Sequence, residues 1–152
     1  MIAVDTNLLV YAHRRDAPFH DEAFKHLCDL AQSGSPWAIP WPCVHEFYGV
    51  VTNPRAFKPP STVEQACTQL EAWFASPSLV LLNEGAVHWT ELRGLLVSAR
   101  VTGSLVHDAR VGAICLEHGG RALWSADRDF NRFPRVSVAN TARMRPAGKS
   151  SS

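Results

Sequence analysis

Short apolar runs alternate along the chain with longer stretches of helical period. Ile2-Ala3-Val4 is apolar and stops at Asp5, as a short strand buried on both faces does. Thr6 and Asn7 are helix-capping types, and Leu8, Leu9, Tyr11 and Ala12 then predict a helix with little polar character. The alternation continues. Phe19, Ala23, Phe24, Leu27 and Leu30 carry a helix that Ser33-Gly34-Ser35-Pro36 closes; Trp37–Pro40 is a strand; Pro42 opens a helix to Val51 that Asn53-Pro54 stops. After a proline-rich loop to Pro60, Ser61-Thr62-Val63-Glu64 has the form of a capping box opening a helix to Phe74. Ser78–Leu82 is a strand, Ala86–Ala99 a helix, and Thr102-Gly103-Ser104 a break. Val106–Glu117 is a helix ended by Gly119-Gly120, and Ala122–Trp124 and Val136–Val138 are the last strands. Strand and helix in turn predict an α/β fold with a mostly parallel central sheet covered by helices on both faces.

Composition sets the scale of this fold. With 152 residues, 46% hydrophobic and 19% charged, the chain suits one domain with a core of its own. Residues 1–140 are read as that domain and 141–152 as a mobile basic tail. No apolar run approaches a membrane span, Asp5 interrupts the start, and no basic segment precedes it, so a cytoplasmic protein is expected. Cys28, Cys43, Cys67 and Cys115 form no CxxC pair, which argues against a zinc site and against a disulfide framework; they read as small, mostly buried residues. The net charge of +1 conceals an asymmetry. Residues 1–120 hold 8 Lys and Arg against 12 Asp and Glu, a balance of −4, whereas residues 121–152 hold 7 against 2, a balance of +5. Twelve of the 15 cations are Arg, the side chain suited to bidentate phosphate contact.

The acidic residues carry the candidate chemistry. Asp5 stands at the carboxyl end of the first strand, where open α/β sheets bind ligands; the competing reading is a cap on the following helix. On a helical wheel Asp108 shares its side with Val111, Gly112, Cys115 and Leu116, while Arg110 and Glu117 lie opposite, so Asp108 points inward. Asp127 and Asp129 follow the strand Ala122–Trp124, again at a carboxyl end. Glu46 lies beside the stripe Val44, Phe47, Tyr48 and Val51, and periodicity alone makes it solvated. The seven histidines share no motif, which disfavours a metal-free acid–base mechanism, although His107 adjoins Asp108. Two carboxylates about 5 Å apart repel by roughly 3 kcal/mol at an effective dielectric near 20, so a converging set protonates or binds a cation. An all-oxygen set selects Mg²⁺ or Mn²⁺ over zinc.

Asp5 in VDTN, Glu46 after the second strand, Asp108 in HDARVGAICLEHG, and Asp127 and Asp129 in SADRDF together resemble the PIN-domain family, and more closely its VapC-type toxin ribonucleases. The resemblance spans residues 1 to about 140, with the acids in the family's order. It implies an α/β/α sandwich whose carboxylates bind Mg²⁺ or Mn²⁺ and cut RNA. Carried over, Asp5, Glu46, Asp108 and Asp127 are the catalytic acids, with Asp5, Asp108 and Asp127 as metal ligands and Thr6, Asn7, Ser125 and Asp129 in support. Asp127 is taken over Asp129 as the ligand, with Phe130 after Asp129 read as packing inward to anchor the loop. Arg14, Arg15, Arg128 and Arg132 are candidate RNA contacts, whereas Trp37, Trp41 and Trp124 read as core. The resemblance further implies a homodimer and a cognate antitoxin seated on Leu8–Ala12 and Phe19–Leu30, with Phe19, Phe24 and Leu27 as contacts. Two other classes compete: an RNA-binding module of the same fold that does not cut, and a phosphatase of the haloacid dehalogenase type, whose second acid would fall on Asn7.

Overall fold

The computed structural model describes residues 1–119, 122–124, 133, 135–136 and 138–139. Among them five strands form one parallel sheet in the order β3-β2-β1-β4-β5: β1 Ile2–Val4, β2 Trp37–Pro40, β3 Leu79–Leu82, β4 Ala122–Trp124 and β5 Val138–Ala139. The helices are α1 Thr6–His13, α2 His20–Gln32, α3 Trp41–Val51, α4 Val63–Phe74, α5 His88–Ser98 and α6 Val106–Glu117, with a 3₁₀ turn at Gly103–Leu105 before α6. This is the expected α/β/α sandwich. From β1 the chain runs outward to β2 and β3, then crosses back through α5 and α6 to β4 on the other side of β1. Right-handed crossovers in opposite directions place their helices on opposite faces, and the direction reverses between β1 and β4.

The central strands explain the core. Ala3, Val4 and all of Trp37–Ile39 are buried, as strands covered on both faces require. Leu8, Leu9, Phe47, Leu82, Leu95, Ile114, Leu123 and Phe133 complete the largest buried side chains, each worth about 1.5–3 kcal/mol relative to exposure. Trp37 satisfies its indole N–H at 3.1 Å on Ser76 Oγ, consistent with its expected core role. α6 comes close to its neighbours because Gly112 has no side chain: a Cβ there would lie 3.1 Å from Val136 and 3.4 Å from Leu95. No helix among the described residues is long and apolar enough to cross a membrane.

Several element ends differ from the expectation, each for a physical reason. α1 begins one residue early, so Asp5 rather than Thr6 or Asn7 occupies the N-cap position. Phe19 precedes α2 in the left-handed region, φ 61°, with its ring against Tyr11 at 5.8 Å. The capping box is displaced by one residue: Thr62 and Gln65 exchange the reciprocal bonds, because Ser61 is buried and already held by His13 Nε2 and Arg14. Leu27 is core, so of the three expected partner contacts only Phe24 stands exposed and Phe19 half-exposed. Cys67 is exposed, against the expectation of mostly buried cysteines, while Cys43 and Cys115 are buried. Glu117, expected on the polar side, has a side chain only 5% exposed. Its carboxylate accepts the N–H groups of Gly85 at 2.8 Å and Val87 at 3.2 Å, serving donors at the start of α5 from the end of α6.

Two outcomes follow for stability. Thr62→Ala removes half of the reciprocal cap and should cost about 0.5–2 kcal/mol, lowering the thermal midpoint by a few degrees in a scanning experiment. His13 lies between Gln69 at 3.1 Å and Ser61 at 2.9 Å, and burial holds its pKa below the ordinary value. The unfolded chain, with a His pKa near 6.5, therefore binds the proton first; stability is complete above that pH and is lost as pH falls through it toward the folded value. Urea midpoints from pH 7 to 5 should fall more steeply for the native protein than for His13→Gln.

Candidate active site

β1 and β2 run parallel in adjacent positions, and each passes directly into a helix at the same end of the sheet. The first turns of α1 and α3 therefore meet where β1 ends. Asp5 sits at that point, 6% exposed, and its side chain makes no cap bond to α1. Cys43, in the first turn of α3, donates its thiol to Asp5 Oδ1 at 3.6 Å. Thr6 Oγ1 donates to Glu46 Oε2 at 3.2 Å, so the first residue of α1 holds the carboxylate of α3 next to Asp5. Glu46 is exposed as its periodicity requires, yet it is not a bystander. One turn of helix separates Cys43 from Glu46, which lets the two residues serve Asp5 and Thr6 together.

The field of Asp5 reaches a third element. Burial first, and Asp5 second, push the Cys43 thiol well above its ordinary range and the Cys115 thiol up to about 12. Cys115 belongs to α6, so Asp5 lies between thiols of α3 and α6 that stay protonated. Asp108 occupies the first turn of α6 and is half-buried. A cleft of about 380 Å³ opens between α3 and α6, lined by Pro42, His45, Glu46, His107, Arg110 and Val111. Arg110 pairs with Glu84 and holds that carboxyl below its usual range.

The remaining candidates are distributed unevenly. Asp127, Asp129, Ser125, Arg128 and Arg132 lie outside the described residues. What is described is that β4 ends abreast of β1, with Val4 paired to Trp124. Among the described residues no group of three or more His, Cys, Asp or Glu is arranged to hold a metal ion. Asn7 is half-buried and Arg15 exposed. Arg14 is engaged at the far end of α1, bidentate to Asp16 at 2.8 and 2.7 Å, bonded to the Pro59 carbonyl, and stacked 4.4 Å over Phe57. Sequence reasoning passed over Cys43 and Cys115, which it read only as core, and Arg110, which it placed on the outer side of α6. The i, i+3 spacing of Cys43 and Glu46 was the one signal available for the first.

The PIN domain profile matches residues 2–136. The chain belongs to the PIN domain family. Its relatives within that family are VapC ribonucleases: it is 37% identical over 137 residues to ribonuclease VapC43 of Mycobacterium tuberculosis, covering 90% of this chain and 92% of that protein. To ribonuclease VapC48 of the same organism it is 32% identical over 136 residues, covering 88% and 92%. The solved structure of Mycobacterium tuberculosis VapC20, described as a sarcin–ricin loop cleaving toxin, superposes on this PIN domain with TM-score 0.66 at 16% identity, over 92% of this chain and all of that one. VapBC2 from Rickettsia felis, bound to a fragment of promoter DNA, gives TM-score 0.64 at 23% identity over 92% and 98%. These likenesses in structure show the fold.

Thiol chemistry checks the site directly. In the native PIN domain at pH 8, an aromatic disulfide reagent should label Cys67 quickly and half-buried Cys28 more slowly. Cys43 and Cys115 should react only after unfolding. Rapid native labelling of Cys43 would contradict its bond to Asp5.

Proposed function

We propose that this PIN domain is a divalent-metal-dependent endoribonuclease, the toxin of a toxin–antitoxin pair. The observation that carries the reading is a buried carboxylate at the switch point of the sheet, Asp5, with Glu46 tied beside it through Thr6. The VapC relatives support RNA as the substrate, and the VapBC likeness supports an antitoxin partner.

The donor chemistry fits a hard cation. Asp5 and Asp108, with Asp127 from the segment after β4, would supply oxygen ligands suited to Mg²⁺ or Mn²⁺. Asp127 follows Trp124, the last residue of β4, by three residues in the sequence. When bound by these acids, such an ion would supply an activated water and charge stabilisation for the leaving oxygen of a phosphodiester. The chain's own groups do the positioning. The Cys43 thiol orients Asp5 from below, and a protonated thiol adds no competing charge. Thr6 fixes Oε2 of Glu46, which leaves Oε1 to take a proton from the attacking water. A homodimer, and an antitoxin segment that places an Arg or Lys against the acids while covering Phe19 and Phe24, complete the reading.

Purified protein should cut single-stranded RNA only with Mg²⁺ or Mn²⁺, and EDTA should stop it. Asp5→Asn or Asp108→Asn should lower the rate by roughly two orders of magnitude or more. The thermal midpoint of the metal-free variant should hold or rise, because a carboxylate charge has been removed from a crowded site. Undiminished cleavage in EDTA overturns the metal requirement; RNA retention without cleavage, with or without metal, leaves a binding module instead.

A further inference from the structure

The cleft between α3 and α6 is not accounted for by the acids, although Glu46 forms part of its rim. Its volume, about 380 Å³, falls in the range of about 300–1,000 Å³ typical of small-ligand sites. Buried Val111 and half-buried Pro42 give it apolar surface, and His45 and His107 bring exposed rings from the two helices. The His45 ring is held by its neighbours: it lies 5.9 Å from the Trp41 ring at 36°, and Trp41 in turn lies 6.0 Å from Phe74. A ring braced in this way offers a stacking face at little cost in ordering. Arg110 meets Glu84 through Nε, which leaves its two terminal nitrogens, with four N–H donors, for another anion.

We propose that this cleft is a nucleotide subsite of the RNA-cleaving centre, with His45 stacking a base and Arg110 holding the adjacent phosphate. The inference rests on the reading of the acids as a ribonuclease site and extends it to the strand beside the cut. Continuity decides between RNA and other occupants. Glu46 belongs to the cleft and to the Thr6–Glu46 contact next to Asp5, so a strand lying in the cleft adjoins the acids. A cationic guanidinium beside a stacking ring matches a phosphate followed by a base. Glu84 neutralises one side of Arg110 and fixes where the other side points. His107 closes the opposite wall and adds a second ring edge.

The test is the affinity of the full chain for a short single-stranded oligoribonucleotide, read by fluorescence anisotropy in EDTA so that nothing is cut. Arg110→Gln and His45→Ala should each weaken binding roughly tenfold, and His45→Phe should restore most of the loss. Arg110→Gln should also reduce the slope of log affinity against log salt by about 0.7, the signature of one lost phosphate contact on a single strand. Glu84→Gln separates this role from a structural one. If Arg110 binds phosphate, removing its carboxylate partner keeps or improves RNA affinity; if Arg110 only ties α6 to the loop after β3, Glu84→Gln weakens RNA binding as much as Arg110→Gln, and the proposal is overturned. With Mn²⁺ present, the His45 and Arg110 variants should raise KM more than they lower kcat. Native protein that cuts RNA while these variants bind it normally removes the subsite and leaves the ribonuclease reading intact. Native protein that binds RNA through these residues without cutting it does the reverse.

Discussion

Burial of one negative charge at the end of the central strand governs the arrangement around it. Moving a carboxylate from water into a protein interior costs several kcal/mol even after relaxation, so the fold must surround Asp5 with groups that tolerate or answer the charge. The sheet order makes this possible. β1 lies between β2 and β4, and two of these three neighbouring strands pass straight into helices at the same end. Asp5 therefore receives a thiol from α3 and acts on a second thiol of α6, both neutral.

The supports of that site are themselves tied into the scaffold. α3 is fixed by Phe47, whose ring meets Trp73 of α4 at 5.0 Å and His13 of α1 at 5.4 Å. α6 is fixed through Glu117, which serves the start of α5, and through His118, which meets the Asn83 carbonyl at 2.8 Å. Rigid elements hold a catalytic constellation more closely than loops do. The same rigidity shapes the cleft between α3 and α6, because the tilted Trp41–His45 ring pair and the Arg110–Glu84 pair lie on these two helices and the loop after β3. Membership in the PIN domain family and kinship with VapC ribonucleases give this geometry its chemical context.

Charge is divided in a way that suits an RNA-cutting role. The first 120 residues carry the negative balance, Asp5, Glu46 and Asp108 among it, while the last 32 carry the positive one. Arg14 shows why counting cations is not enough. Its guanidinium is spent on Asp16, Pro59 and Phe57 at the far end of α1. Arg110, unremarkable in the sequence, reaches the rim of the candidate site instead.

Most of the scaffold was legible in the residues themselves. Hydrophobic period and turn chemistry act locally, so β1, β2, α3 and α6 appear where Ile2–Val4, Trp37–Pro40, Pro42–Val51 and Val106–Glu117 predicted them, and Asp5 falls at a strand end for the same reason. Asp108, which the wheel put on the inner side of α6, is half-buried. What the tertiary structure decided were choices between equivalent local options. Ser61 and Thr62 are both good caps, and only the arrival of His13 and Arg14 takes Ser61 away and moves the box by one residue. Glu46 and Glu117 both look like solvated glutamates. Glu46 is drawn to Thr6 because parallel β1 and β2 deliver their helices side by side, and Glu117 is covered because α6 ends against the N–H groups before α5. A side chain's partner across 32 or 40 residues leaves no period in the sequence; it exists only once the sheet order has placed the helices.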